Sequence, residues 1–265
     1  MEVSGKIGAI YMSSGSGTNL FERITLNGSG VQTLTNPNVW INALYVDDTG
    51  THDGLANAAV LTDTGATWTI NALADRTVYN TTDGSSGTVI SNTATTITAT
   101  LGGGTDDDWD IGDAYSIAGT AIGEELYTYT VKGTITCLTQ ANNVIHADHT
   151  YYTVAQVGGF FNWTLDIVGD ALETTDFGDS GHRNYIAGIQ GWSGSADRYY
   201  LTDVDMSTCV GSRYIVRFYM KTTATKYRYE GWAYVTGMHL TTPVDGLVAE
   251  PIDFQGVDQI NYETG

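Results

Sequence analysis

Apolar and polar residues alternate most regularly near the C-terminal end of this chain. Arg213–Lys221, RYIVRFYMK, puts Tyr214, Val216, Phe218 and Met220 on one face and Arg213, Ile215, Arg217, Tyr219 and Lys221 on the other. Lys226–Val235, KYRYEGWAYV, repeats the pattern after the connection Thr222–Thr225. The pair predicts a long hairpin with basic and aromatic residues on its more polar face. Near the start, GKIGAIYM reads as a strand, followed by a Ser/Gly turn and a second apolar run, LFERITL. In the middle, Thr77-Val-Tyr79 leads into a turn at Asp83–Gly87, and Thr96–Thr100 alternates into Gly102–Gly104. That spacing reads as strand, turn, strand, turn, strand, enough for a small β module.

Composition supports the same class. The 265 residues include 32 glycines, 17 tyrosines and only 3 prolines, a profile of short strands and glycine-mediated turns. A chain this long buries a substantial core as one large β domain or two smaller ones. With 42% hydrophobic residues and a mean hydropathy of −0.13, neither a disordered nor a membrane-embedded chain is indicated. The apolar run in MEVSGKIGAIYMSSGS is too short for a signal peptide, and no later run approaches membrane length. Sequons at Asn27, Asn80 and Asn162 are therefore read as coincidental.

Charge adds a division along the chain. There are 11 Lys and Arg against 30 Asp and Glu, a net charge of −19, so the surface repels phosphate backbones rather than binding them. Between about Asn27 and Ile117 the charged residues are nearly all aspartate, and Arg76 is the only base. Arg183, Arg198, Arg213, Arg217, Lys221, Lys226 and Arg228 all fall in the stretch from about Ala118 to Gly265. Such polarisation suits head-to-tail contact between identical subunits, against the plainer reading of two solvated strand faces. The expected division is a core domain from 1–28 and 118–265 with an Asp-rich β module, 29–117, inserted in it. Cys137 and Cys209 form no metal or redox pair, and a reduced history fits them better than a disulfide.

Several motifs invite a catalytic or metal reading. Phe177–His182, FGDSGH, contains the Gly-Asp-Ser-Gly tetrapeptide that surrounds the nucleophile of chymotrypsin-like proteases. His52, His146 and His149 precede Ser180, but none has the sequence context of that family's base, and His182 stands where a further glycine belongs. The nucleophile-elbow pattern also fails, at Gly178–His182 and at Gly191–Ser195. His146-Ala-Asp-His149 on a strand would point its imidazoles to opposite faces, and DDDWD at 106–110 lacks the glycine and final glutamate of a calcium loop. SGSGTN lacks the lysine of a phosphate loop. The expectation is a protein without catalytic, metal or cofactor chemistry.

Read with its neighbours, the same stretch resembles the major tail tube proteins of long-tailed phages and related prokaryotic viruses. The elements are Leu172-Glu-Thr-Thr-Asp-Phe-Gly-Asp-Ser180, Arg183-Asn-Tyr-Ile-Ala-Gly188 and Trp192-Ser-Gly-Ser195. Gly231-Trp-Ala-Tyr-Val-Thr236, Thr242-Pro-Val-Asp245 and Ile252-Asp-Phe-Gln-Gly256 follow in order, and GKIGAIYM is similar to the family's opening strand. The resemblance covers about residues 1–26 and 125–265; residues 58–117 look like a small β module that recurs in phage structural proteins.

The resemblance implies a mainly β, sandwich- or barrel-like fold with a short helix. It implies hexameric rings that stack into a hollow tube through which viral DNA passes without specific binding. The implied partners are other copies of the chain and the tail terminator, tape-measure and tail-tip proteins. The implied location is the virion tail, with host cytoplasm during assembly. On this reading Gly178, Asp179 and Ser180 form a tight turn. Arg183, Tyr185, Gly188, Arg213, Arg217 and Lys221 join them as candidate assembly residues, and Ser180 carries no chemistry. The alternative is a host-adhesion or carbohydrate-binding β module, suggested by Trp68, Trp109, Trp192 and Trp232, although core packing explains most of these.

Overall fold

A computed structural model describes residues 9–137, 139–140, 143–174, 183–201, 206–222, 226–242 and 246–264. Eighteen strands account for most of them. The first four are β1 (Ala9–Ser13), β2 (Thr18–Thr25), β3 (Val31–Thr33) and β4 (Val39–Thr51). Next come β5 (Val60–Thr62), β6 (Thr77–Asn80), β7 (Ser86–Asn92), β8 (Thr96–Ala99) and β9 (Ala114–Ile122). Short strands β10 (Tyr127–Tyr129) and β11 (Thr134–Cys137) precede β12 (Val144–Tyr151) and β13 (Val154–Gln156). The C-terminal part holds β14 (Phe160–Glu173), β15 (Tyr185–Arg198), β16 (Arg213–Lys221), β17 (Tyr227–Met238) and β18 (Ile252–Thr264). The fold is mainly β, as the alternation requires. Helical structure among the described residues is confined to 3-10 turns at Glu124–Leu126 and Ser207–Cys209, so the short helix expected from the resemblance is not found there. Gly- and Thr-rich connections supply no run with a helical period.

Two compact units divide the chain: Met1–Gly17 with Tyr152–Gly265, and Thr18–Tyr151 between them. The inserted unit is thus longer than 29–117. β12 pairs with β2 from Val144↔Thr25 to Tyr151↔Thr18, and also with β4, so both flanks belong to the inserted sheet. Its eight strands run β2-β12-β4-β9-β6-β7-β8-β5, with a separate sheet β10-β11-β3. One core gathers Leu26, Leu34, Val39, Leu44, Ile135 and Ile145. A second is built from buried residues between Leu61 and Ile117, including Val78, Ile97 and Trp109, with Ala58 and Trp68 packed against it. The module read from 58–117 therefore has a core of its own, while β9 carries it in the larger sheet through its pairing with β4.

Aspartates build the turns of this module. Asp83 Oδ1 accepts the Ser85 N–H, Asp107 Oδ1 that of Gly104, and Asp110 Oδ1 that of Asn57. Buried Asn80 donates its amide to Asp83 Oδ2, Asp108 O and Asp113 Oδ2, so this sequon asparagine is committed to packing. Each bond satisfies a polar group that a tight turn would otherwise strand. Aspartate richness is here, in large part, a requirement of backbone geometry.

The split unit is one seven-stranded antiparallel sheet, β13-β1-β16-β17-β18-β15-β14. Its core contains Ile10, Met12, Trp192, Val216, Phe218, Val235 and Phe254. Phe218 meets Trp192 and Phe254 edge to face, with centroids 6.3 and 5.8 Å apart, a favoured aromatic geometry. A β-carbon at Gly256 would lie 2.2–2.4 Å from three ring atoms of Trp192, a hard clash. Gly256→Ala should therefore displace the indole and destabilise this unit by about 2–3 kcal/mol, read as a lower urea midpoint at unchanged slope. A midpoint equal to the parent's would show that Trp192 can move aside freely.

Candidate functional site

The sequence candidates fall into three places. Gly178, Asp179 and Ser180 lie outside the described residues, as does the rest of FGDSGH. Arg183, Tyr185 and Gly188 belong to the hairpin β14–β15. Arg213, Arg217 and Lys221 lie on β16.

β14 and β15 pair along almost their whole 14-residue lengths, from Phe160↔Arg198 to Glu173↔Tyr185. β18 joins β15 only at Ser193–Ala196. Beyond Ser193 the hairpin continues as a two-stranded arm with no third strand among the described residues. The arm is apolar but open to solvent: Ile167, Val168, Leu172, Tyr185, Ile186 and Ile189 are all more than half exposed, Ile189 by 84%. Isolated two-stranded ribbons are marginal in water, and exposed apolar patches of this kind mark contact surfaces. β14 is also the sheet edge, and 14 residues is long for an edge strand.

Gly188 has a local reason to be glycine. The register shifts between Gly169 and Ala171, where β15 carries one residue more than β14. A β-carbon at Gly188 would lie 2.9 Å from the Asp170 β-carbon, too close for a larger residue without movement. Near the far end Thr174 N–H donates to Asn184 O at 2.9 Å. Arg183 Nη1 stands 3.9 Å from Glu173 Oε2, both well exposed, so this pair adds little stability.

On β16 the bases are engaged within the chain. Arg217 and Arg228 each donate from Nε to Glu230 Oε2, at 2.9 and 2.8 Å, and Glu230 is buried. Burial opposes the charge of Arg228, but the Glu230 carboxylate holds its pKa above the ordinary guanidinium value. Arg213 sits over the Trp232 ring at 5.2 Å and Lys221 over Tyr227 at 5.9 Å. The face predicted as more polar also holds Ile215, Tyr219 and Trp232, all buried. It is not a solvated strand face; parity places residues on a face but does not say what covers it.

Sequence reasoning missed one buried polar cluster. Asp47 Oδ1 accepts from Ser116 Oγ at 2.5 Å and from His146 Nε2 at 2.7 Å, while Arg23 Nε donates to Ser116 Oγ at 2.8 Å. Ser116 and His146 are fully buried. These are the residue types of a catalytic triad in a different arrangement. The orienting carboxylate of a triad bonds the imidazole nitrogen remote from serine. Here one carboxylate oxygen takes both protons, so His146 Nε2 does not serve as base to Ser116. The three residues are separated by 30 to 99 positions, and no local motif could have joined them.

Asp106, Asp108 and Asp110 bring carboxylate oxygens within 4.8 Å of one another. Burial, then the neighbouring carboxylates, push the pKa of Asp108 up. The histidines of His146-Ala-Asp-His149 are both buried, and the register shifts between Asp148 and His149. Cys137 and Cys209 are both free thiols. No helix among the described residues is long and apolar enough to cross a membrane.

No protein-family model and no curated protein matches this sequence. Among solved structures, a chain from the virion of a native gene transfer agent particle is similar over 42% of this chain and 88% of its own length. The identity is 11% and the TM-score 0.35.

Proposed function

We propose that this chain is a virion structural protein, the tail tube subunit of a long-tailed phage or related prokaryotic virus. Copies of it polymerise as stacked, hexameric rings around a channel for viral DNA. The observation that carries this reading is the β14–β15 arm, a long edge ribbon on which six large apolar side chains are more than half exposed. Joining such an edge to a neighbouring subunit satisfies its backbone groups and covers its side chains in one step. A symmetric ring repeats that contact until no edge is left. Among the described residues, Leu172–Thr174 and Arg183–Gly188 of the family-like motif run belong to this same arm. A net charge of −19 favours passage of DNA without sticking. In this role the protein needs no cofactor, metal or catalytic group, and its partners are itself and the proteins that cap the tube, fill it and form its tip.

Negative-stain electron microscopy of the purified protein tests the reading. Rings or tubes with a central hole are expected, and stable monomers at concentrations of about 10 µM or more would count against it. Ser180→Ala should assemble as the parent does. Three of the four tryptophans behind the carbohydrate-binding alternative, Trp109, Trp192 and Trp232, are at most 3% exposed, so they form no sugar platform.

A further inference from the structure

The two faces of the β14–β15 arm differ in a way that points to what covers them. Paired residues share a face, and Ile167 pairs with Trp192, which is buried in the core of the split unit. That face is the core side. On the opposite face the base of the hairpin is polar: Asn162, Thr164 and Asp166 on β14, with Ser193, Ser195 and Asp197 on β15. Asn162 Nδ2 donates to Asp197 Oδ2 at 3.0 Å, and the Thr164 and Ser195 hydroxyls meet at 2.8 Å.

From Val168 outward this same face turns aliphatic, with Val168, Leu172, Ile186 and Ile189 interrupted by Asp170. Ile189 precedes Gln190, which pairs with Gly169 on the core side, so it stays with the aliphatic group despite the bulge. A face made for water at the base is therefore not made for water along the arm. The core side of the arm is also uncovered outward of Trp192. Ile167 and Tyr185 mark its ends, and Gly169, Ala171 and Ala187 leave a low middle flanked by Gln190.

A ribbon with two open apolar faces needs two covers. In a head-to-tail succession of identical copies each arm meets a neighbour on each face, so one element supplies both covers. Stacked sheets sit about 10 Å apart with interdigitating side chains, and a bulky face suits a low one. We infer that the aliphatic face of each arm packs on the core-side face of the arm of a second copy. The inference rests on the reading of the arm as an assembly contact and names the surface that meets it. Asp166, Asp170 and Glu173 make the arm acidic, which disfavours an anionic membrane or nucleic acid as the cover. One face offers a footprint of only about 25 Å by 10 Å, well below the roughly 800 Å² per partner of a stable pair. The contact therefore adds to a larger assembly and does not hold two free copies together.

The test is cross-linking of the full chain in a Cys209→Ser background, where the remaining native thiol, Cys137, is buried. Ile189→Cys marks the aliphatic face and Ala171→Cys the core side, and both positions are exposed. Assembled protein is treated with a short bismaleimide that bridges sheets packed about 10 Å apart. The double variant should give a ladder running past dimers on a denaturing gel, and each single variant should stay monomeric. Ala187→Cys in place of Ala171→Cys repeats the test at a second core-side position. Dimers from Ile189→Cys alone would show that like faces meet, and would overturn the inference. Assemblies on the microscope grid with no ladder from either pair would overturn it and leave the proposed function standing. A parent chain that stays monomeric would overturn both.

Discussion

Ile189→Asp combined with Val168→Asp should leave the chain folded and stop its assembly. Both side chains are more than 60% exposed on the arm, so replacing them removes almost no contact within the subunit. Surface changes of that kind shift folding stability by about 0.5 kcal/mol or less. In an assembled ring the same two side chains would be covered. Each would contribute about 1–2 kcal/mol of apolar burial, and a carboxylate in its place would have to be desolvated without a partner. That loss recurs at every subunit contact. The expected result is an unchanged thermal melt together with sedimentation as a monomer and an empty electron-microscope grid. Tubes of normal length from the double variant would remove the arm from the assembly contact.

Glu230→Ala should strongly destabilise the split unit. Glu230 is 1% exposed and takes a hydrogen bond from each of two guanidiniums that are themselves about 15% exposed. Removing the carboxylate leaves two like charges close together in a poorly solvated place. Truncating one member of a buried ionic set costs about 3–5 kcal/mol. Arg217→Ala should cost less, about 1–2 kcal/mol, because Arg228 still compensates the carboxylate. The order of the two variants is the informative result. If urea midpoints showed Arg217→Ala to be equal to or worse than Glu230→Ala, the central role given to Glu230 would be wrong.

The two variants also show how far the residues alone could be read. Alternation in RYIVRFYMK and KYRYEGWAYV correctly places Tyr214, Val216 and Phe218 toward a core and pairs the two strands. It does not reveal that the opposite face is also buried, because Ile215 and Trp232 look the same to a period-two pattern whether or not something covers them. Arg217 and Arg228 read as surface charge until Glu230, 13 and 2 positions away, is seen between them.

Boundaries show the same limit. Charge texture changes at about residues 28 and 118, but strand pairing divides the chain after Gly17 and Tyr151. β2 and β12 join across more than a hundred residues, a contact that leaves no local trace in composition. The 58–117 module was legible because its turns are local, built by Asp83, Asp107 and Asp110 on backbone groups a few positions away or on one neighbouring loop.

By itself the sequence determined the strand class, the turn chemistry and the acidity of this protein, because each depends on neighbours within a few residues. Tertiary structure alone decided which tryptophans are core. It also brought Asp47, Ser116 and His146 together and left the β14–β15 arm uncovered. Those outcomes depend on pairings between distant strands, and burial is a property of the folded surface that no single segment carries.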